Sequence, residues 1–198
     1  MSRFLAPIHF LMYDKVLFLE AFVENYIDIA KDNNVELKEL NSLGEIEKSP
    51  LDRIIDEDNI HLWIQKKVEI VENRFAYVVS EILKSDKELI IELLKYSYRK
   101  GRNENFNSNA DDAFKFIISR FLDGMPCDNS ISIIESNEDF VKFIIEIDNH
   151  EKFWEYGISS ETYWEIRNKY IKGLLSSSRY DLFVENNIYE IRGQLCLL

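Results

Sequence analysis

The stretch from Ile64 to Ile82 restricts the possible folds of this chain more than any other. Ile64, Val68, Val71, Phe75, Val78 and Ile82 recur at alternating steps of four and three. An α-helix turns once every ~3.6 residues, so this set falls on one face and forms a stripe that has to be buried. The spacing predicts a helix from Asp58, its N-cap, to about Lys84. A second stripe, Met12, Val16, Leu19, Val23, Tyr26 and Ala30, predicts another from Pro7 to about Lys31, with proline at a position that suits the first helical turn.

The segment 33–57 is polar and irregular, carries Gly44 and Pro50, and reads as a long crossover with one short helix. Further helices are expected over 86–99 and 110–122, the second stopping at Asp123-Gly124. Only six glycines and three prolines occur in 198 residues, which favours helices over an all-β chain. The pattern then changes. Ile131 to Glu135 and Phe140 to Ile147 are rich in β-branched and aromatic residues around the turn-like Ser136-Asn137-Glu138-Asp139, a hairpin signal. A helix over 160–175 follows, with Ser159 or Ser160 as cap and Tyr163, Ile166, Tyr170 and Leu174 as its stripe. Tyr180 to Val184 and Ile188 to Arg192 then flank Glu185-Asn186-Asn187, a second hairpin signal. The expected class is α+β, mostly helical. Residues 1–125 would form an N-terminal helical bundle, and 126–198 a small antiparallel α/β unit packed on it, the two making one compact domain.

Charge narrows the partners. With 24 Lys and Arg against 36 Asp and Glu, the formal net charge is -12. Such a surface repels phosphate backbones and anionic lipid heads, so neither nucleic acid nor membrane is an expected partner. The basic stretch Tyr98 to Arg102 reads as a solvated helix end. The apolar start from Phe4 to Tyr13 is interrupted by Asp14 and Lys15 and has no small-residue cleavage site, so it reads as helix rather than leader. No run reaches the ~18 apolar residues of a membrane span. Two cysteines, Cys127 and Cys196, are too few for a disulfide framework, and a soluble cytoplasmic protein is expected.

The histidines are the main chemical signal. The two long helices begin alike, Ile8-His9 and Ile60-His61, with lysine, valine and glutamate at matching offsets further on. His9 lies three residues before Met12, and His61 three before Ile64. Both therefore fall on the apolar stripes, in the first turn, where burial and the positive helix end disfavour imidazolium. If the crossover lets the helices run parallel, the two rings share one end. His150 follows a strand end and precedes Phe153-Trp154-Tyr156, a position suited to a pocket or to a loop histidine capping the next turn. His9, His61 and His150 could together supply three nitrogens to a divalent transition metal with an open position, although no HxH or HExxH spacing is present. Glu57 and Asp148 would then orient the imidazoles, and otherwise are a solvated carboxylate and a turn residue. Cys127, in the small-residue turn Asp123 to Asp128, is a candidate nucleophile if a histidine lowers its pKa, and otherwise a buried small hydrophobe. His61, Cys127 and His150 are thus the candidate catalytic residues. His9, Trp63, Trp154 and Tyr163 are candidates to line a ligand pocket, with Trp164 beside them, and the same aromatics suit a core. No glycine-rich phosphate loop or GxSxG occurs, which disfavours ATP- or NAD-dependent chemistry.

The C-terminal third resembles the 2-amino-thiazoline-4-carboxylate hydrolase-like family and related 4-vinyl-reductase-type ligand-binding domains. Glu138-Asp139-Phe140-Val141, Glu155-Tyr156-Gly157-Ile158, Tyr170-Ile171-Lys172-Gly173 and Tyr189-Glu190-Ile191 carry the resemblance. It implies a small-molecule pocket between the helices and the small sheet. Members commonly have a cysteine after the second strand, where this chain has Asp148-Asn149-His150. Three functions follow as expectations: a small-molecule-binding or sensory module, a small-molecule hydrolase or lyase, or a helical protein that self-associates as a homo-oligomer.

Overall fold

The computed structural model describes residues 5–123 and 130–193. Among them the chain forms α1 (Pro7–Asp32), α2 (Leu51–Ile54), α3 (Ile60–Ser85), α4 (Ile90–Arg102), α5 (Ala110–Arg120), β1 (Ile131–Ser136), β2 (Phe140–Ile145), α6 (Glu161–Leu175), β3 (Tyr180–Glu185) and β4 (Ile188–Gly193). This is the expected class, α+β and mostly helical. No helix among the described residues is long and apolar enough to cross a membrane.

The division of the chain differs from the expected boundary at 125. Two compact units form, one from Met1–Leu89, Ser119–Leu122 and Lys152–Ile158, the other from Ile90–Ile118, Asp123–Glu151 and Ser159–Leu198. Helix α4 and most of α5 thus belong with the sheet rather than with the first helices.

In the first unit α1 and α3 run parallel. Contacts climb both helices in step, from His9 on His61, through Glu20 on Arg74, to Phe22 on Phe75. The core here is aromatic. Phe75 meets Phe22, Tyr26 and Trp154 at centroid distances of 6.4, 5.8 and 6.1 Å. Arg74 is embedded in it and donates Nε and Nη2 to the two oxygens of Glu20, and Nη1 to the Gly44 carbonyl. Burying the pair is tolerable only because almost every donor and acceptor is used. Helix α1 ends in a left-handed residue, Asn34 (φ 57°), with Val35 N–H closing back on the Ala30 carbonyl. That is a helix stop with asparagine where glycine is more usual. Helix α3 starts one residue later than expected, with Asn59 rather than Asp58 as N-cap.

In the second unit both hairpins form and join through β2 and β4, giving an antiparallel sheet of order β1-β2-β4-β3. Asn186 and Asn187 both have positive φ, as a two-residue hairpin turn requires. Side chains alternate across the sheet. Val141, Phe143, Tyr189, Ile191 and Leu182 are buried on one face, where Phe143 stacks on Tyr189 and packs against Phe114 of α5. Helix α4 crosses α6 at two glycines. A Cβ on Gly101 would lie 2.0 Å from the Tyr170 carbonyl oxygen, and one on Gly173 2.1 Å from that of Tyr98. Beside the crossing the buried Ser97 hydroxyl donates to the Ile166 carbonyl. This close approach explains the shifted boundary. Gly101 lies inside α4, and the stretch expected to be a solvated helix end continues the helix through the contact.

Candidate functional site

Helix α6 positions the polar residues of the second unit. Its apolar stripe buries Tyr163, Ile166, Tyr170 and Leu174 as expected, and Arg167 falls on the same face. A guanidinium that is 0% exposed needs a partner, and Asp123 supplies it. Arg167 donates Nε and Nη2 to Asp123 Oδ2 at 2.8 and 2.5 Å, while the Tyr163 hydroxyl donates to Oδ1 at 3.1 Å. Burial alone would raise the Asp123 pKa, but the Arg167 charge and the neighbouring His150 outweigh it, holding the carboxyl well below the usual range.

His150 completes this cluster. Its ring stacks on Tyr163 at 3.5 Å, meets Trp164 edge-on at 5.2 Å, and brings Nε2 to 3.6 Å from Asp123 Oδ1. The loop before it is held by Asp148. That carboxylate accepts the backbone N–H groups of His150 and Glu151, the Ser160 hydroxyl and the Trp164 indole N–H. Asp148 was expected as a turn residue or an imidazole orienter; it orients an indole and a loop. Although partial burial raises its pKa, these bonds leave it below the ordinary value. With 1% of its surface exposed, His150 presents no face to a substrate. In this arrangement it packs and polarises the core.

His9 and His61 do come together, with ring centroids 5.1 Å apart and planes at 84°. Of the parallel and antiparallel arrangements left open by the sequence, the parallel one is found, but His61 is exposed rather than buried on its stripe. His9 Nδ1 accepts the Ala6 N–H at 2.9 Å and so caps α1. A neutral ring that accepts at Nδ1 carries its proton on Nε2, so neither nitrogen has a free lone pair for a metal. Burial, and then the neighbouring His61, lower the His9 pKa. Among the described residues no group of three or more His, Cys, Asp or Glu is placed to hold a metal ion. The three-histidine centre expected from the sequence is not found there, because His150 is packed in its own cluster and His9 is committed to a cap. Cys127 lies outside the described residues.

The expected pocket aromatics take other roles. Trp154 is buried against Phe75 as core, and Tyr163 is buried as a donor to Asp123. Trp63 is half-buried, 5.8 Å from Tyr13 and under the Lys67 ammonium. Trp164, by contrast, lines a concavity of about 500 Å³. The end of β2, the Asp148 loop, the outer face of α6 and the β3–β4 hairpin border this open hollow, and the buried Tyr189 lies at its base. Another hollow, of about 520 Å³, follows the β3–β4 hairpin, and three of its charges pair with one another. There Glu190 bonds both Lys142 and Arg192, and Arg192 covers the Phe183 ring at 3.9 Å.

Sequence reasoning missed the Asp123–Arg167 pair. The available signal was an arginine four residues after Tyr163 on an apolar stripe, since a charge there requires a buried counter-charge. Compared with protein families, curated proteins and solved structures, the chain matches none.

Proposed function

We propose that this protein binds a small molecule, in the concavity beside Trp164. The observation that carries the reading is the state of that indole. It is half-buried at a hollow of about 500 Å³, and its N–H is tied to Asp148, which is itself held by two backbone amides and a serine. Binding sites of small ligands are concave, of a few hundred Å³, and lined by aromatic rings with a few fixed polar groups. A ring fixed before the ligand arrives loses little freedom on binding. The resemblance of the C-terminal third to ligand-binding domains supports the same reading. The two cysteines and the acidic composition support a cytoplasmic setting, away from nucleic acid and membrane. Binding without turnover, as in a sensory module, suits a cluster whose histidine is closed to solvent.

The test is a ligand-observed NMR screen of a chemically mixed fragment set against the whole chain, with Trp164→Ala as the comparison. Fragments should bind the native chain and lose at least most of their signal transfer with the variant, while the variant still unfolds cooperatively. Fragments that bind both proteins equally, or none that bind the native chain, would remove the basis of the proposal.

A further inference from the structure

Resting on that reading, we infer that the ligand of the Trp164 concavity is an organic cation. The chemistry of the wall points to it. Glu146, Asp148, Glu161 and Glu165 line the hollow, and among the described residues no lysine, arginine or histidine does. Among the described residues, Glu146, Glu161 and Glu165 form no ion pair, although carboxylates elsewhere in this unit do, as Asp111 with Lys115 and Glu190 with Lys142 and Arg192. Glu161 and Glu165 stand one turn apart on α6, where like charges repel. A cation between them relieves that repulsion. Asp148 is fixed as a carboxylate by the four bonds described above.

The indole adds the second half of the recognition. Trp164 supplies the ring of the wall, since Tyr189 is buried and stacked on Phe143, and an ammonium over an indole is attracted by its quadrupole. A positive charge behind the indole, Arg167, is buried, lies 5.4 Å from the Trp164 centroid and is matched by Asp123 at 2.5 Å. Its charge is thereby largely cancelled at the hollow. A bare metal ion fits less well. A divalent cation needs several oxygens converging on one point, and no such group exists among the described residues. Carboxylates spread around an aromatic floor suit an extended or alkylated amine.

The experiment follows the Trp164 indole N–H signal in two-dimensional NMR of the whole chain. The probes are choline, 1,5-diaminopentane, and 3,3-dimethylbutanol, the neutral isostere of choline. The two cations should shift the signal and the isostere should not at equal concentration. Replacing both glutamates, as E161Q with E165Q, should weaken cation binding about fivefold. Raising salt from about 50 mM to about 500 mM should weaken it further, because exposed charges are screened. If the neutral isostere binds as tightly as choline, or the double variant keeps full affinity, the charge inference falls and the concavity remains a binding site. If no probe and no fragment moves the signal, both readings fall together.

Discussion

Replacing Gly173 by alanine sets two effects of opposite sign against each other. In a helix interior alanine is favoured over glycine by about 1 kcal/mol, so propensity predicts a more stable protein. The structure predicts the reverse. The added Cβ would stand 2.1 Å from the Tyr98 carbonyl oxygen and 2.9 Å from its carbon, where ordinary C···O contacts begin near ~3.3 Å. Both clashing atoms are backbone in regular helices, so no rotamer change relieves them. The helices have to part by about 1 Å, and a gap of that size forfeits a quarter to a half of each contact along the seam. The Ser97–Ile166 hydrogen bond, buried at 2.7 Å, stretches with it and leaves a serine hydroxyl partly unsatisfied, costing about 1 kcal/mol more. Overpacking penalties run to ~3 kcal/mol even where side chains relax. The net expectation is a loss of about 2–4 kcal/mol, read as a lower urea midpoint at unchanged slope. Gly101→Ala, whose Cβ meets the Tyr170 oxygen, should cost a similar amount. The double variant should cost clearly less than the sum, because one separation clears both clashes. A neutral or stabilised Gly173→Ala would refute the close crossing, and strict additivity would refute the shared displacement.

Three further outcomes follow from the buried groups. Asp123→Asn strands the Arg167 guanidinium in the core and should cost about 3–5 kcal/mol in urea unfolding, whereas removing both charges as Asp123→Asn with Arg167→Met should recover part of that loss. The Asp123 pKa is held low when folded, so its contribution is complete above the ordinary carboxylate value of ~3.9 and fades as pH falls below it. Acid titration of stability should therefore be shallower in the variant. His9 also has its pKa lowered by folding, so the unfolded chain binds the extra proton first, and stability should decline as pH drops below ~6.5. His9→Leu should remove that slope and the Ala6 cap together, at a cost of about 0.5–2 kcal/mol at pH 8; a variant with an unchanged pH profile would show that another group carries it.

The two long helices were legible because their stripes are local statements: six residues at helical spacing fix a face whatever surrounds them. The hairpin at Asn186-Asn187 was legible for the same reason, since two residues with positive φ are needed there and asparagine tolerates them. The unit boundary was not. Gly101 after a basic run looks like a helix stop, and only the approach of a second helix, itself hosting Gly173, reveals it as a contact surface. The histidines show the same limit. Their placement on stripes predicted burial for both, which holds for His9 and fails for His61, an exposed residue, and their meeting depended on a parallel pairing that the stripes do not fix; burial alone does not say whether a ring serves a ligand or a cap.

Helix α6 contains both the part of the site that pattern reveals and the part it conceals. Tyr163, Ile166, Arg167 and Tyr170 turn inward and are buried. Glu161, Trp164, Glu165 and Asn168 recur at the same three-and-four spacing on the opposite side, and all four line the concavity. Periodicity treats that outer set as a solvated face, which is what carboxylates one turn apart on a helix ordinarily form. What changes its meaning is the β3–β4 hairpin, which brings Val184, Asn187 and Tyr189 to the other side of the hollow, together with the Asp148 loop that fixes the indole. Those neighbours come from sheet order β1-β2-β4-β3, a non-sequential pairing that no local spacing encodes. The carboxylates were visible in the sequence, and their place around the Trp164 indole is supplied by the topology.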